Sequence, residues 1–231
     1  MIEYNAIVLA AGKGKRMEAG ENKQFINLDG KPLIIHTLTV FEKDPWCKSM
    51  VLVTNQLERE RMEQLLDNYP FHKRVIMVDG GNERQDSVLQ GLRAVKEQSG
   101  IVFIHDGARP FVQQDRLHEL AEVAKEKKAA LLAVPVKDTI KKVDGDKLTT
   151  LDRSVLWAAQ TPQAFQFEVV YRAHEEARKK GFIGTDDASL VEKIGLSVTI
   201  VEGNYTNIKL TTPEDIEQAN SIINSQSVNR D

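Results

Sequence analysis

Cysteine is almost absent from this chain, since Cys47 is the only one in 231 residues. A single cysteine excludes an intramolecular disulfide and a cysteine-based zinc cluster. No apolar stretch approaches the roughly 20 residues of a membrane-spanning helix. The first residues, Met-Ile-Glu-Tyr, do not have the pattern of a signal peptide. From these absences we expect a reducing, cytoplasmic setting and no membrane partner.

An excess of positive charge is also missing. The formal net charge is −3, with 31 Lys and Arg against 34 Asp and Glu. A nucleic-acid partner is therefore not expected, and a local group of cations indicates a small anionic ligand instead. With 41% hydrophobic residues, a chain of this length can bury a full core, and we expect one domain.

A glycine loop rich in cations follows the first apolar run of the chain. The sequence from Ala6 to Lys23 is A-I-V-L-A-A-G-K-G-K-R-M-E-A-G-E-N-K. Its apolar start does not alternate, which is typical of a strand covered on both faces. Gly12 and Gly14 allow backbone N–H groups to converge on phosphate oxygens. The pattern predicts an anion site, and an ordinary turn with solvated lysines is the alternative.

Two known phosphate motifs do not fit this loop. A Walker A sequence is absent, and Met17 stands where a dinucleotide-binding loop needs a third glycine or alanine. The loop therefore belongs to another class of nucleotide site.

Short apolar runs alternate with helical patterns along the rest of the chain. The apolar runs include residues 50–54, 75–78, 101–104 and 130–134, and the helical patterns include 32–41, 57–66 and 87–96. This alternation predicts an α/β, Rossmann-like fold with a mostly parallel twisted sheet and helices on both faces. Ligands of such sheets bind at the carboxyl ends of the strands. We therefore expect residues 12–16, 80–87 and 106–109, each directly after a strand, to converge.

The segment D-G-G-N-E-R-Q-D-S-V, residues 79–88, carries two glycines out of a strand and into a helix. Arg84 and Ser87 lie at the expected helix start, where backbone N–H groups are partly positive. Asp86 or Ser87 is the expected cap, and a plain turn is the alternative to a binding role.

The segment V-F-I-H-D-G-A-R-P-F places Asp106 directly beyond an apolar strand. A carboxylate is costly there unless it meets a cation or water. Because Mg²⁺ prefers hard oxygen ligands and often takes one or two carboxylates, Asp106 is the predicted metal ligand. Arg109 offers a fork for phosphate or carboxylate, or it pairs with Asp106. His105 has no expected role, since a phosphate monoester arrives already ionised.

The segment after Val136 contains an expected β-hairpin, from two β-prone runs joined around Asp144-Gly145. A two-stranded ribbon is marginal alone, so we expect an extended arm at about residues 137–157 that a second subunit clasps. An edge hairpin packed on its own domain is the alternative. Beyond it, Thr185 or Asp186 should cap a short helix, and Lys209 should lie in a strand. A polar, disordered tail is expected over 224–231.

The glycine loop resembles that of the nucleotidyltransferases that activate sugar and polyol phosphates. The matching positions are Ala10, Ala11, Gly12, Gly14, Arg16, Met17 and Lys23. The later segments, including T-D-D-A-S and N-I-K-x-T, are similar to cytidylyltransferases of the 2-C-methyl-D-erythritol 4-phosphate type. Asn82 departs from this pattern, because an acidic residue is expected there.

The resemblance implies a nucleotidyltransferase domain over residues 1–223 that uses CTP, a polyol phosphate and a divalent cation, Mg²⁺, and releases pyrophosphate in non-mevalonate isoprenoid precursor synthesis. The implied catalytic residues are Arg16, Lys23 and Lys209. The implied nucleotide-binding residues are Ala10, Ala11, Gly12, Lys13, Gly14, Gly81, Asn82, Arg84, Ser87, Asp106 and Gly107. The implied acceptor-binding residues are Arg109, Thr139, Arg153, Thr161 and Thr185. Thr139 and Arg153 would reach the neighbouring site of a homodimer.

Two other functions stay open at this point. A cytidylyltransferase acting on ribitol 5-phosphate would share most of these loops. A non-enzymatic nucleotide-binding module would need only the glycine loop and the base pocket, which would leave Lys23, Arg153 and Lys209 without a purpose. An NAD-dependent oxidoreductase is disfavoured by Met17.

Overall fold

The computed structural model describes residues 1–12 and 22–228. The strands within these ranges are β1 (Tyr4–Leu9), β2 (Asn27–Leu28), β3 (Lys31–Pro32), β4 (Cys47–Thr54), β5 (Arg74–Asp79), β6 (Ile101–Asp106), β7 (Ala129–Pro135), β8 (Lys141–Asp144), β9 (Lys147–Thr150), β10 (Trp157–Gln166) and β11 (Thr199–Glu202). The α-helices are α1 (Leu33–Lys43), α2 (Arg59–Asn68), α3 (Arg84–Ala94), α4 (Gln114–Lys127), α5 (Phe167–Lys180), α6 (Asp187–Lys193) and α7 (Pro213–Val228).

Seven of these strands form one sheet in the order β11-β7-β10-β6-β1-β4-β5. Neighbouring strands are parallel except for β10, which runs antiparallel to both β6 and β7. The predicted mostly parallel α/β sheet is confirmed. Sequence reasoning missed β10, because Pro162 and several polar residues interrupt it, and an internal proline argues against a strand. Its register against β7 breaks between Ala159 and Gln163, on either side of that proline.

The sheet is covered on both faces, which explains why β1 does not alternate. Ala6 and Val8 pack into a core with Leu38 of α1 on one face. Ile7, whose side chain points the other way, packs with Leu92 of α3 on the opposite face. The helices α1, α2 and α4 contribute to the first core, and α3, α5 and α6 contribute to the second. Ala6, Ile7, Val8 and Ala10 of the apolar run are therefore buried, and Leu9 at the end of the strand is half-buried.

The arm is present as its own two-stranded sheet. β8 and β9 pair antiparallel in a register that sets Asp144 opposite Lys147, which leaves Gly145 in the turn with φ of +58°. All eight of their residues are exposed. Exposed apolar side chains on the arm and its base are Val143, Leu148, Val155 and Trp157.

Three local predictions differ from the structure. Lys209 lies in an irregular segment rather than in a strand, since residues 207–211 join no sheet. The helix α3 begins earlier than predicted, and Glu83 rather than Asp86 or Ser87 is its cap, in a reciprocal capping box with Asp86. The helix α7 continues to Val228, whereas a disordered tail was expected from Asn224.

Of the two residues expected to cap α6, Thr185 and Asp186, the structure shows Asp186, which accepts a hydrogen bond from Ser189 N.

None of the helices in the described ranges combines the length and apolarity that a bilayer crossing requires.

Candidate active site

The carboxyl ends of β1, β4, β5 and β6 are tied together by backbone hydrogen bonds. Gly107 N donates to Leu9 O at 2.9 Å, and Gly80 N donates to Thr54 O at 2.8 Å. A β-carbon on Gly80 would lie 2.5 Å from Ala11 Cβ. One on Gly107 would lie 2.9 Å from Leu9 O, so both close approaches require glycine. The described parts of the three predicted segments are thus brought together at one edge of the sheet.

Asp106 lies at the centre of this edge, only 9% exposed. Its carboxylate is 2.7 Å from Lys209 Nζ, 3.6 Å from Arg84 Nε and 3.9 Å from Arg109 Nε. Burial raises the pKa of Asp106, but the charges of Lys209 and Arg84 outweigh it, so the pKa falls below its usual value. The carboxylate therefore stays ionised. Because three cations face one carboxylate, the edge carries spare positive charge for an anionic ligand.

Lys23 and Lys209 approach this edge from two separate segments. Leu210 N donates to Ala108 O at 2.9 Å, which fixes the segment that carries Lys209 beside the end of β6. Lys23 Nζ in turn donates to Leu210 O at 3.3 Å. Two lysines from positions far apart in the sequence therefore meet at the segment around Leu210.

Arg84 also forms an ion pair with a second, buried carboxylate. Its NH1 is 2.8 Å from Oδ2 of Asp187, the first residue of α6, which is 1% exposed. His174 Nε2, on α5 and fully buried, donates to the other oxygen of Asp187 at 3.0 Å. Burial raises the pKa of Asp187, but Arg84 and His174 lower it more. Burial also lowers the pKa of Arg84, and Asp187 and Asp106 raise it above its usual value. Both groups are therefore charged.

Thr161 and His105 form a buried chain of hydrogen bonds beside Asp106. Asp106 N donates to Thr161 Oγ1 at 3.0 Å, and Thr161 Oγ1 is 3.2 Å from His105 Nδ1. His105 Nε2 donates to Arg109 O at 2.9 Å, so the hydroxyl donates to Nδ1. Burial lowers the pKa of His105 to about 4 and keeps it neutral. The hydroxyl of Thr161, predicted to bind the acceptor, makes hydrogen bonds with Asp106 N and His105 Nδ1 instead.

Arg109 links Asp106 to the segment that carries Lys209. Its NH1 donates to Asn207 O at 2.6 Å, while Nε faces Asp106. This corresponds to the alternative in which Arg109 pairs with Asp106. Burial lowers the pKa of Arg109, and Asp106 counteracts that effect.

The turn after β5 is organised by Ser87. Its hydroxyl accepts from Gly81 N at 3.0 Å and donates to Glu83 O at 3.1 Å. Asn82 is exposed at the tip of this turn. Ser87 therefore shapes the turn, and the exposed backbone and Asn82 face outward.

The predicted acceptor residues outside this cluster are exposed. Thr185 directly precedes the cap of α6, close in sequence to Asp187. Thr139 and Arg153 lie at the two sides of the arm's base, where Arg153 NH1 donates to Lys137 O at 2.6 Å. No hydrogen bond or ion pair within the described ranges joins Arg153 or Thr139 to Asp106, Lys209 or Arg84. Lys13, Gly14 and Arg16 lie outside the described residues.

Asp187 was missed by sequence reasoning. The available signal was the pair of aspartates in T-D-D-A-S, of which a helix cap needs only one. The second aspartate is buried against Arg84, a contact between α3 and α6 that sequence spacing does not indicate.

Residues 4–225 match the family model of IspD, 2-C-methyl-D-erythritol 4-phosphate cytidylyltransferase. The chain belongs to the IspD family. Curated relatives with this enzyme name include one from Geobacillus thermodenitrificans, 58% identical over 226 residues that cover 97% of this chain and 99% of the relative. Another, from Bacillus velezensis, is 54% identical over 230 residues and covers 99% of each chain.

Solved structures of IspD proteins share the fold. The 4-diphosphocytidyl-2C-methyl-D-erythritol synthase from Anaerococcus prevotii matches with a TM-score of 0.86 at 30% identity, over 96% of this chain and 99% of that chain. The cytidylyltransferase from Thermus thermophilus matches with a TM-score of 0.80 at 29% identity, over 96% and 98%. The family resemblance inferred from the glycine loop is confirmed, and the chain is a nucleotidyltransferase of the IspD family.

Proposed function

We propose that this enzyme transfers the cytidylyl group of CTP to 2-C-methyl-D-erythritol 4-phosphate, giving 4-diphosphocytidyl-2-C-methyl-D-erythritol and pyrophosphate in isoprenoid precursor synthesis. The observation that carries the proposal is the cation cluster around Asp106, with Lys209 at 2.7 Å and Arg84 at 3.6 Å. This cluster lies at the carboxyl edge of the sheet, in a chain of the IspD family. A compact positive pocket at this edge suits a triphosphate and a second phosphate.

The reaction needs little covalent help from the protein. An oxygen of the acceptor phosphate attacks the α-phosphorus of CTP, a new P–O bond forms, and the bond to the β-phosphate oxygen breaks as pyrophosphate leaves. No proton has to move, since the attacking phosphate is already ionised. Catalysis then consists of positioning and of stabilising negative charge. We assign that charge stabilisation to Lys23, Lys209 and Arg16.

The nucleotide is assigned to two turns of the pocket. Residues 10–14 would supply backbone N–H groups to the triphosphate. The turn from Gly81 to Ser87 would hold the cytidine, with Arg84 fixed by Asp187 at 2.8 Å. A guanidinium that is already held loses little conformational freedom on binding.

A magnesium ion fits Asp106 by donor type. Its carboxylate is a hard oxygen ligand that stays ionised, and one carboxylate can suffice when phosphate oxygens and water complete an octahedron. No group of three or more Asp, Glu, His or Cys side chains within the described ranges could form a protein cage for a metal. We therefore propose that Asp106, together with phosphate oxygens of CTP, would hold the ion, which would neutralise charge on the leaving phosphates.

The arm is assigned to a homodimer. Val143 and Leu148 are 69% and 63% exposed on a ribbon that is marginally stable alone. Contact with a second subunit would bury both side chains. Thr139 and Arg153 would then reach the neighbour's acceptor phosphate, beside Thr185 of that subunit. The use of CTP also supports a cytoplasmic location.

Pyrophosphate release tests the proposal. With CTP and Mg²⁺, we expect release with 2-C-methyl-D-erythritol 4-phosphate and much less with ribitol 5-phosphate or without an acceptor. Lys209→Ala should lower the rate by roughly 100-fold, in line with the loss of one preorganised donor. Lys48→Ala is the matched control, since Lys48 pairs with Glu97 on the surface. No release with either acceptor would reject the transferase function, and a preference for ribitol 5-phosphate would reject the acceptor.

A further inference from the structure

Asn22, which directly precedes Lys23, uses both polar atoms of its side chain. Its Oδ1 accepts from Gln24 N at 3.1 Å. Its Nδ2 donates to Gly12 O at 3.1 Å and to Glu58 Oε2 at 2.5 Å. One carboxamide therefore joins Lys23's own turn, the end of the β1 segment and a turn beyond β4.

The turn Lys23–Phe25 is fixed on its other side as well. Gln24 and Phe25 are buried, and the guanidinium of Arg61 lies 3.9 Å from the centre of the Phe25 ring. Glu58 and Arg61 both belong to the segment after β4. This segment therefore contacts the turn at both ends.

The side chain of Asn22 does more than cap the turn. An N-cap requires only an accepting oxygen, which Asp or Ser would supply equally well. The two Nδ2 bonds instead set the distance between Gly12, at the nucleotide loop, and the turn that presents Lys23. Lys23 Nζ is directed to Leu210 O at 3.3 Å, next to Lys209.

We propose that Asn22 and Glu58 are positioning residues that hold Lys23 in register with the nucleotide loop. The inference rests on the proposed function, in which Lys23 stabilises charge at the α-phosphorus. A displacement of a reacting group by about 1 Å can lower a rate roughly 100-fold. The network therefore acts on the rate of transfer more than on the stability of the fold.

Asn22→Asp separates these two roles. Aspartate keeps the cap, removes both donors and places a second carboxylate against Glu58. We expect kcat for pyrophosphate release to fall about 10- to 100-fold, in a variant whose Tm stays above the assay temperature. Asn55→Asp is the matched control. Asn55 also caps a short turn, through Leu57 N at 3.0 Å, and its Nδ2 makes no hydrogen bond within the described ranges. Its kcat should stay within about twofold of wild type.

Rescue by a second change tests the contact itself. In N22D/E58Q, the new amide can donate to the new carboxylate, so kcat should recover by about fivefold or more over N22D. If N22D does not fold, Asn22→Ser, which keeps a capping oxygen without a charge, should show the same fall in kcat. A wild-type kcat in a folded variant, or no recovery in N22D/E58Q, overturns the inference. A wild-type enzyme that releases no pyrophosphate would instead reject the proposed function.

Discussion

Asp187→Asn is the perturbation that tests most directly how Arg84 is held. Asp187 is 1% exposed, and its two oxygens contact Arg84 NH1 at 2.8 Å and His174 Nε2 at 3.0 Å. The substitution removes one charge of a buried pair and leaves the guanidinium facing a neutral amide. Loss of one partner of a buried ion pair costs about 3–5 kcal/mol.

The cost should lie near the lower end of that range. Arg84 keeps Asp106 at 3.6 Å, and a third of its side chain, 33%, is exposed to water. We therefore expect a loss of about 3 kcal/mol in the free energy of unfolding. For a chain of this size, that loss corresponds to a fall in Tm of roughly 6–12 °C. CTP affinity should fall as well, because Arg84 loses its fixed position.

Scanning calorimetry and CTP titration on the same samples provide the assay. Asp115→Asn is the matched control, because Asp115 also pairs with an arginine, Arg116 at 3.2 Å, but is 64% exposed. A surface pair contributes at most about 1 kcal/mol. If Asp187→Asn unfolds within about 2 °C of wild type and binds CTP equally well, the ion pair does not hold Arg84, and the reasoning is wrong.

Three further outcomes follow from the site. Lys23→Ala should lower kcat by roughly 100-fold while CTP affinity changes less; an intact kcat with weakened affinity, in steady-state and binding assays, would mean that Lys23 only binds. Arg153→Ala should raise KM for the polyol phosphate and leave KM for CTP nearly unchanged; a fully active monomer in sedimentation would contradict the shared site. His105 has a pKa of about 4 in the folded protein, against about 6.5 when unfolded. Its contribution is therefore complete above pH 6.5 and is lost as pH falls toward 4, by about 3 kcal/mol. Urea unfolding at several pH values should show this slope, and His105→Gln should reduce it; an equal slope in both proteins would contradict the assignment.

The sequence predicted the structure correctly where the residues of a single element determine its conformation and burial. The uninterrupted apolar run from Ala6 to Ala10 predicted a strand buried on both faces, and residues directly after strands predicted the edge where Asp106 lies. Contacts between distant elements were not accessible in this way. The pairing of Arg84 with Asp187 joins α3 to α6, and nothing in the local pattern of either helix specifies it.

Local rules failed where tertiary contacts replace regular hydrogen bonding. Lys209 is expected in a strand because apolar residues flank it, but its segment is held by the backbone bond from Leu210 N to Ala108 O and by side-chain contacts. Pro162 concealed β10, whose pairing tolerates an interruption in register. In both cases contacts with distant parts of the chain, rather than the residues themselves, decide the conformation.

The reversed direction of β10 determines where the arm leaves the molecule. β7 ends at Pro135, and β10 begins directly opposite it at Trp157, so both legs of the arm start from the same edge of the sheet as Asp106. A parallel β10 would have required the chain to cross to the far end of the sheet first. One antiparallel strand therefore anchors the ribbon at the rim of the pocket, and any protein that grips it is brought to that rim.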